Sequence, residues 1–301
     1  MRLSVMVLGV VYLCAVVVGI AAPMAQDEDV RGAFLTSRPK EKPATSGSTK
    51  PNRRRPKQTV NPDNTAKQPE KQTVKPGPSG PGASSGSSKP VNAPRIGIGL
   101  TLFMRDSNGL AVRTDPDHVF QKGDRVRVLL ETNTDGYLYI FNTTDNGPAT
   151  MIYPHANLDE GGNYIQAHVP FEVPTSLASE EKLRWFAFDD VAGTEHLFFV
   201  FSREPLKGVP LEDELIAFCR NSRESCPIKP STQLWAALEK EMQEPLKTDK
   251  AGGFGKSETP AEQDANARGL GLAKEDPQPS LVMMASTPRS MLVTALELVH
   301  K

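Results

Sequence analysis

Asp189 and Asp190 close the run KLRWFAFDD, and two adjacent carboxylates at the end of an apolar segment are residue types suited to general acid and base work. A hydrolase could join Asp189 to His155 or His196. A polar strand end is the simpler account of the same two aspartates. The five histidines, His118, His155, His168, His196 and His300, are scattered without the spacing of zinc ligands. Oxygen donors cluster in DPDH (115–118) and NLDEGGN (157–163), yet neither segment has the acidic alternation and closing Glu of a calcium loop, and turn chemistry explains both. The chain contains no HExxH, GxxxxGK[ST] or CxxC. The expectation is a protein without catalytic, cofactor-binding or metal-binding residues and without a cofactor.

Cys219 and Cys226, in CRNSRESC, are the two cysteines outside the apolar N-terminal run. An even pair in an oxidising compartment reads as a disulfide, whereas a redox-active pair usually needs CxxC at a helix start. The closed loop is short, so a bridge would add on the order of 2–3 kcal/mol and act as a local staple.

The elements that must position these residues start at Ile96. Short alternating runs follow one another at intervals near ten residues, the signature of a sandwich or barrel. IGIGLTLFMRD, RVRVLLET, YLYIFNT, ATMIYP, FEVP, KLRWFAFDD and HLFFVFS are the predicted strands. RVRVLLET puts Val126, Val128 and Leu130 on one face and Arg125 and Arg127 on the other, which predicts a wet side. YLYIFN, LRWFAF and HLFFVF are apolar on both faces and read as central strands, covered on both sides or packed beside a helix. The stretch GYLYIFNTTDNGPATMIYPH (136–155) is then a meander through the core, and Tyr153, His155 and Asn157 at its exit are the candidate binding surface.

After Ser202 the period changes. PLEDELIAFC and STQLWAALEKEM have helical spacing and N-terminal signals, giving two short helices within 209–245. Residues 247–280 have loop composition and are expected to be disordered. SMLVTALELVHK closes the chain with two alternating apolar rows, so Met291 to His300 must cross back to the earlier sheet.

The first third differs in kind. Residues 1–25 place Arg2 before an uncharged apolar run ending in small residues, the arrangement of an export signal; if uncleaved, about 23 helical residues could span a bilayer. Residues 26–95 hold 14 Lys and Arg, 6 Asp and Glu and 11 of the 26 prolines, a charge of +8 that leaves −10 on residues 96–301. With almost no large apolar residues, this segment reads as a disordered basic tether. Arg53, Arg54 and Arg55 could touch an anionic surface, and the lack of interleaved aromatics speaks against nucleic acid.

QKGDRVRVLLETNTDGYLYIFNTTDNGPATMIYP, then VPFEVP, AGTEHLFFVFSREPL and a distant last strand, together resemble the bacterial domain-of-unknown-function family 4384. The resemblance covers Ile96 to about Leu206 plus the last strand. It implies an exported β-rich domain, or one that follows a kinase-like or caspase-like domain, and it carries no functional residue across. The reading as a whole is a mainly β protein, an immunoglobulin-like antiparallel β-sandwich over 96–301 with two short helices inserted before the last strand. Its expected role is to bind or scaffold an envelope protein or cell-wall polymer, in the periplasm or outside the cell, with membrane contact only through an uncleaved N-terminal helix. The alternatives are a hydrolase with an unrecognised site and a membrane-anchored, envelope-spanning protein.

Overall fold

The alternating run GIGLTLFMR becomes β1 (Gly97–Arg105) in a computed structural model that describes residues 29–41, 53–55, 94–221 and 226–301. β1 is flanked by β3 (Arg125–Thr132) and β11 (Leu281–Ala285). β2 (Ala111–Arg113) also pairs with β1, β7 (Phe171–Val173) and the two-residue β8 (Phe186–Ala187) pair with β3, and β10 (Leu246–Lys250) forms the far edge of this seven-stranded sheet. The second sheet has five strands: β4 (Gly136–Thr144), β5 (Thr150–Tyr153), β6 (Tyr164–Ile165), β9 (Gly193–Ser202) and β12 (Met291–His300). Every ladder between these strands is antiparallel.

The core lies between the sheets. Ile98, Leu100 and Leu102 of β1 and Val126, Val128 and Leu130 of β3 meet Leu138 and Ile140 of β4, Phe199 and Phe201 of β9, and Leu292 and Leu296 of β12. The last strand pairs with β9 along its whole length, Met291 opposite Ser202 and His300 opposite Gly193. It lies at the sheet edge. α3 (Thr232–Met242) covers the other face of this smaller sheet, and α2 (Glu212–Asn221) packs against the 3-10 turn Asp159–Gly161. Tyr139, Phe141 and Val200 are buried on that face with Leu238 and Trp235 of α3, which is why YLYIFN and HLFFVF are apolar on both sides.

Several sequence expectations are corrected. LRWFAF is not a central strand: Glu181–Leu183 form a turn of 3-10 helix, and only Phe186 and Ala187 pair with β3. The wet side expected for RVRVLLET is covered, and Arg127 is buried. Residues 247–280 are not a structureless loop. They begin in β10 and contain α4 (Pro260–Arg268), opened by a capping box between Thr259 and Glu262 and closed by Gly269 in the left-handed region. The tether expected over 26–95 is partly built into the body. α1 (Val30–Leu35) lays Phe34 against Val282 and Met284 of β11, and residues 53–55 run along the loop before β6. Gly99 on the outer face of β1 permits this, because a Cβ there would come within 2.4 Å of Pro279 and 3.1 Å of Phe34. The apolar leader, its cleavage point and most of the tether lie outside the described residues.

Candidate binding pocket

The expected surface at Tyr153, His155 and Asn157 is only partly a surface. Tyr153 is fully buried at the end of β5, its hydroxyl donating to the Gly162 carbonyl at 3.1 Å. Burial, and then the nearby Asp159 carboxylate, hold its phenol pKa well above the usual tyrosine range, so Tyr153 is a core residue that cannot meet a partner. His155 and Asn157 do reach solvent, with the Asn157 amide donating to His155 Nδ1 at 3.2 Å. Together with Ile216 and Arg220 they border an open depression of about 430 Å³ beside the bonded pair Cys219 and Cys226, whose Cα atoms are 5.3 Å apart.

The three arginines are occupied within the chain. Arg53 is buried, its Nη2 donating to the Pro170 carbonyl at 3.2 Å and its guanidinium 5.2 Å from the Phe171 ring centre. Arg54 pairs with Glu160 at 2.8 Å and Asp213 at 2.7 Å. The Arg55 guanidinium stands 5.8 Å from the centre of the Tyr137 ring. DPDH is likewise committed, Asp115 and Asp117 each lying 2.6 Å from Lys250 Nζ.

Asp189 does not join His155 or His196. His155 borders the depression just described, and His196 on β9 faces Glu297 with 3.8 Å between Nδ1 and Oε1. Asp189 lines a different cavity, of about 200 Å³, with His300. Its walls are Val126, Ile152, Phe186, Phe188, Leu197 and Leu298, and its polar groups are Asn142, Asp189, Glu195 and His300. The two sheets therefore enclose it jointly, with β3 and β8 on one side and β4, β5, β9 and β12 on the other.

Each polar group is placed by a strand or turn. Glu195 of β9 accepts from Asn142 Nδ2 at 3.0 Å and Thr144 Oγ1 at 2.9 Å, both on the neighbouring β4. Asp189, exposed at the rim, accepts from the Val191 amide at 2.9 Å in a tight turn. Asp190 turns away to Lys122 at 2.8 Å, which lowers its carboxyl pKa. His300 is held by its backbone, where β12 meets Phe120 through Phe120 N to Val299 O at 2.8 Å and Lys301 N to Phe120 O at 3.1 Å. The His300 ring lies 5.0 Å from Phe188, which stacks at 4.7 Å on Phe120.

His300 is 4% exposed, and neither ring nitrogen has a hydrogen-bond partner. Glu195 Oε1 stands 3.9 Å from Nε2, too far for a direct hydrogen bond. Asn142 Oδ1 is also buried without a partner. Unpaired buried polar atoms cost free energy, and here they line a cavity that could hold the atoms to pair them. Sequence reasoning missed His300, Glu195 and Asn142. One signal for His300 was available: the row Leu292, Thr294, Leu296, Leu298 reaches His300 at the next alternate position, on the core side.

A second polar cluster lies on the outer face of the larger sheet, beneath α4 and the loop that follows it. Arg113 pairs with Glu262, and Arg127 with Glu172 at 3.0 Å and Glu258 at 2.5 Å, while the Trp185 ring centre is 4.4 Å from the Arg127 guanidinium. Desolvation, and then repulsion from Glu172, push the Glu258 carboxyl up to about 7. A pKa there would suit acid and base work. The void that borders Glu131 and Glu262 in this layer measures about 10 Å³, space for a single water, and the ion pairs tie α4 and its flanking segments to the sheet.

Residues 119–205 match the family model described as Domain of unknown function (DUF4384). That span contributes the pocket residues from Val126 to Leu197, while Leu298 and His300 come from the last strand. No curated protein and no solved structure matches the chain.

Proposed function

We propose that this chain is an exported, non-catalytic protein of the bacterial cell envelope, and that its sandwich is a binding module working through the pocket around His300. The observation that carries the reading is the pocket's composition: apolar walls from both sheets with a few convergent polar groups, two of them bearing unpaired buried atoms. Asp189 accepts from the Val191 amide and Glu195 from Asn142 and Thr144, and neither carboxylate is hydrogen-bonded to His300, so the pocket assembles no nucleophile–base pair, which favours binding over the hydrolase reading. Export is supported by the apolar N-terminal run ending in small residues and by the paired Cys219 and Cys226.

The test combines location with ligand response. Fractionation of cells expressing the full chain should place it outside the cytoplasm, and small-molecule and cell-wall fragments should raise its unfolding temperature. Leu298→Trp, which fills the cavity, should abolish that rise. A cytoplasmic location would overturn the export reading, and hydrolysis of ester or glycoside probes that collapses in His300→Ala would replace the binding reading with an enzymatic one.

A further inference from the structure

We propose that the pocket takes a small amine, a protonated nitrogen carried on a compact apolar or aromatic body. This rests on the pocket being the binding site and adds the chemical class of its occupant.

The hydrogen-bond inventory gives the class. Glu195 and Asp189 contribute two carboxylates, and Asn142 a buried, unpaired carbonyl oxygen. No Lys or Arg is among the lining residues. Glu195 has engaged some of its acceptor sites with Asn142 and Thr144, and a carboxylate offers about four. Asn142 Nδ2 is spent on Glu195, so the amide presents its acceptor and not its donor. An uncharged His300 supplies one lone pair and one N–H. Acceptors therefore outnumber donors and the formal charge is negative, so a ligand matching this wall must bring several N–H donors and positive charge. A carboxylate or phosphate would meet like charge in a partly apolar cavity, where repulsion is strong.

The gap between His300 Nε2 and Glu195 Oε1 fits the same class. At 3.9 Å the two atoms are too far apart to bond each other, yet one nitrogen placed between them reaches both at ordinary hydrogen-bond length. Phe186 and Phe188 provide ring surface that suits both an apolar body and a neighbouring cation. The volume of about 200 Å³ exceeds the roughly 150 Å³ that accommodates benzene in an engineered cavity, so a single ring with a short amine-bearing arm is the matching size.

The experiment is calorimetry on the full chain with three probes of one shape: benzylamine, benzyl alcohol and benzoate. Benzylamine should bind best and benzoate worst. Glu195→Gln should weaken benzylamine about tenfold or more, and Asp189→Asn at the exposed rim should weaken it by a smaller factor, with benzyl alcohol little changed in either. Should Glu195→Gln fail to fold, the Asp189→Asn comparison still decides. Benzoate binding as tightly as benzylamine, or benzylamine indifferent to both variants, would overturn the amine class while leaving the pocket a binding site. Binding of none of the three, with unchanged His300 ring resonances, would overturn both.

Discussion

Arg38 and Glu131 face each other in a two-point ion pair, Nη2 to Oε2 at 2.6 Å and Nε to Oε1 at 2.8 Å, with side chains 0% and 3% exposed. Arg38 belongs to the N-terminal arm and Glu131 to the centre of the larger sheet. The remaining guanidinium hydrogens donate to the carbonyls of Ala273, Asp276 and Pro277, and Glu131 also meets His168 Nδ1 at 2.5 Å. A single arginine thus ties the arm, the β-sheet and the segment after α4 together.

Removing one partner leaves the other buried and unpaired. Arg38→Ala should destabilise the protein by roughly 3–5 kcal/mol, measured by urea unfolding, whereas exposed Lys40→Ala should fall within about 0.5 kcal/mol. Equal stability of Arg38→Ala and the parent would return the arm to the role of a free tether.

That role was the one legible in the sequence, and the reason it misled is physical. Disorder is read from the scarcity of large apolar residues, but Phe34 and Arg38 find their partners far along the chain, at Val282, Met284 and Glu131. β1 and β3 were legible because their core-facing residues recur with a period of two, and β4, β9 and β12 because they are long apolar runs rich in β-branched and aromatic residues, bounded by turn residues. α4 was not, because it docks on a charged layer: its buried residues are Glu262, Ala265 and Asn266, so it has no apolar stripe. Its capping box and N1 proline, Thr259-Pro260-Ala261-Glu262, were the readable trace. β11, LVMMA, is a short continuous apolar run, which carries no period at all. The pocket was the least visible feature, because its polar residues come from different strands and only their register brings them together.

Glu258 should make stability fall as pH rises. Its carboxyl is raised from an ordinary 4.5 to about 7 by desolvation and by Glu172. Between those values the native state holds a proton the unfolded chain has released, so this contribution is fully present below about 4.5 and is lost as pH climbs through 7. The difference is on the order of 3 kcal/mol. Urea midpoints at several pH values should show the parent losing stability across this window relative to Glu258→Gln. Parallel curves for the two proteins would remove the assignment.

The last strand offers a contrast between neighbours. Leu296 is buried in the core opposite Leu197, while Glu297 is exposed. Leu296→Ala should cost roughly 2–5 kcal/mol and Glu297→Ala no more than about 0.5 kcal/mol, by chemical denaturation. Similar losses for the two would mean that β12 is not seated in this register.

Cys219 and Cys226 join the end of α2 to the segment that precedes α3. Protein isolated from cells, alkylated without reduction and examined by mass spectrometry, should carry no label on either residue. Because the loop is short, reduction should lower stability by only on the order of 2–3 kcal/mol and leave the sheets folded. Full labelling of both thiols would rule the bridge out in the cell.

Gly162 tests whether residues 53–55 are held where the structure places them. Its backbone is extended, φ −81° and ψ 155°, a conformation any residue adopts without strain. What forbids a side chain is the arm: a Cβ would lie 2.5 Å from the Arg53 carbonyl oxygen and 2.7 Å from its carbon. Gly162→Ala should therefore push the arm away while leaving the loop's own geometry available. The reporter is the Tyr164 amide, which donates to that same Arg53 carbonyl at 2.8 Å. In hydrogen exchange, Tyr164 should lose protection in Gly162→Ala while amides in the β9 and β12 ladder keep theirs, since their bonds involve neither residue. Unchanged protection at Tyr164 would show that the arm does not pass over Gly162, and loss of protection throughout the sheet would show that the loop, not the arm, requires the glycine.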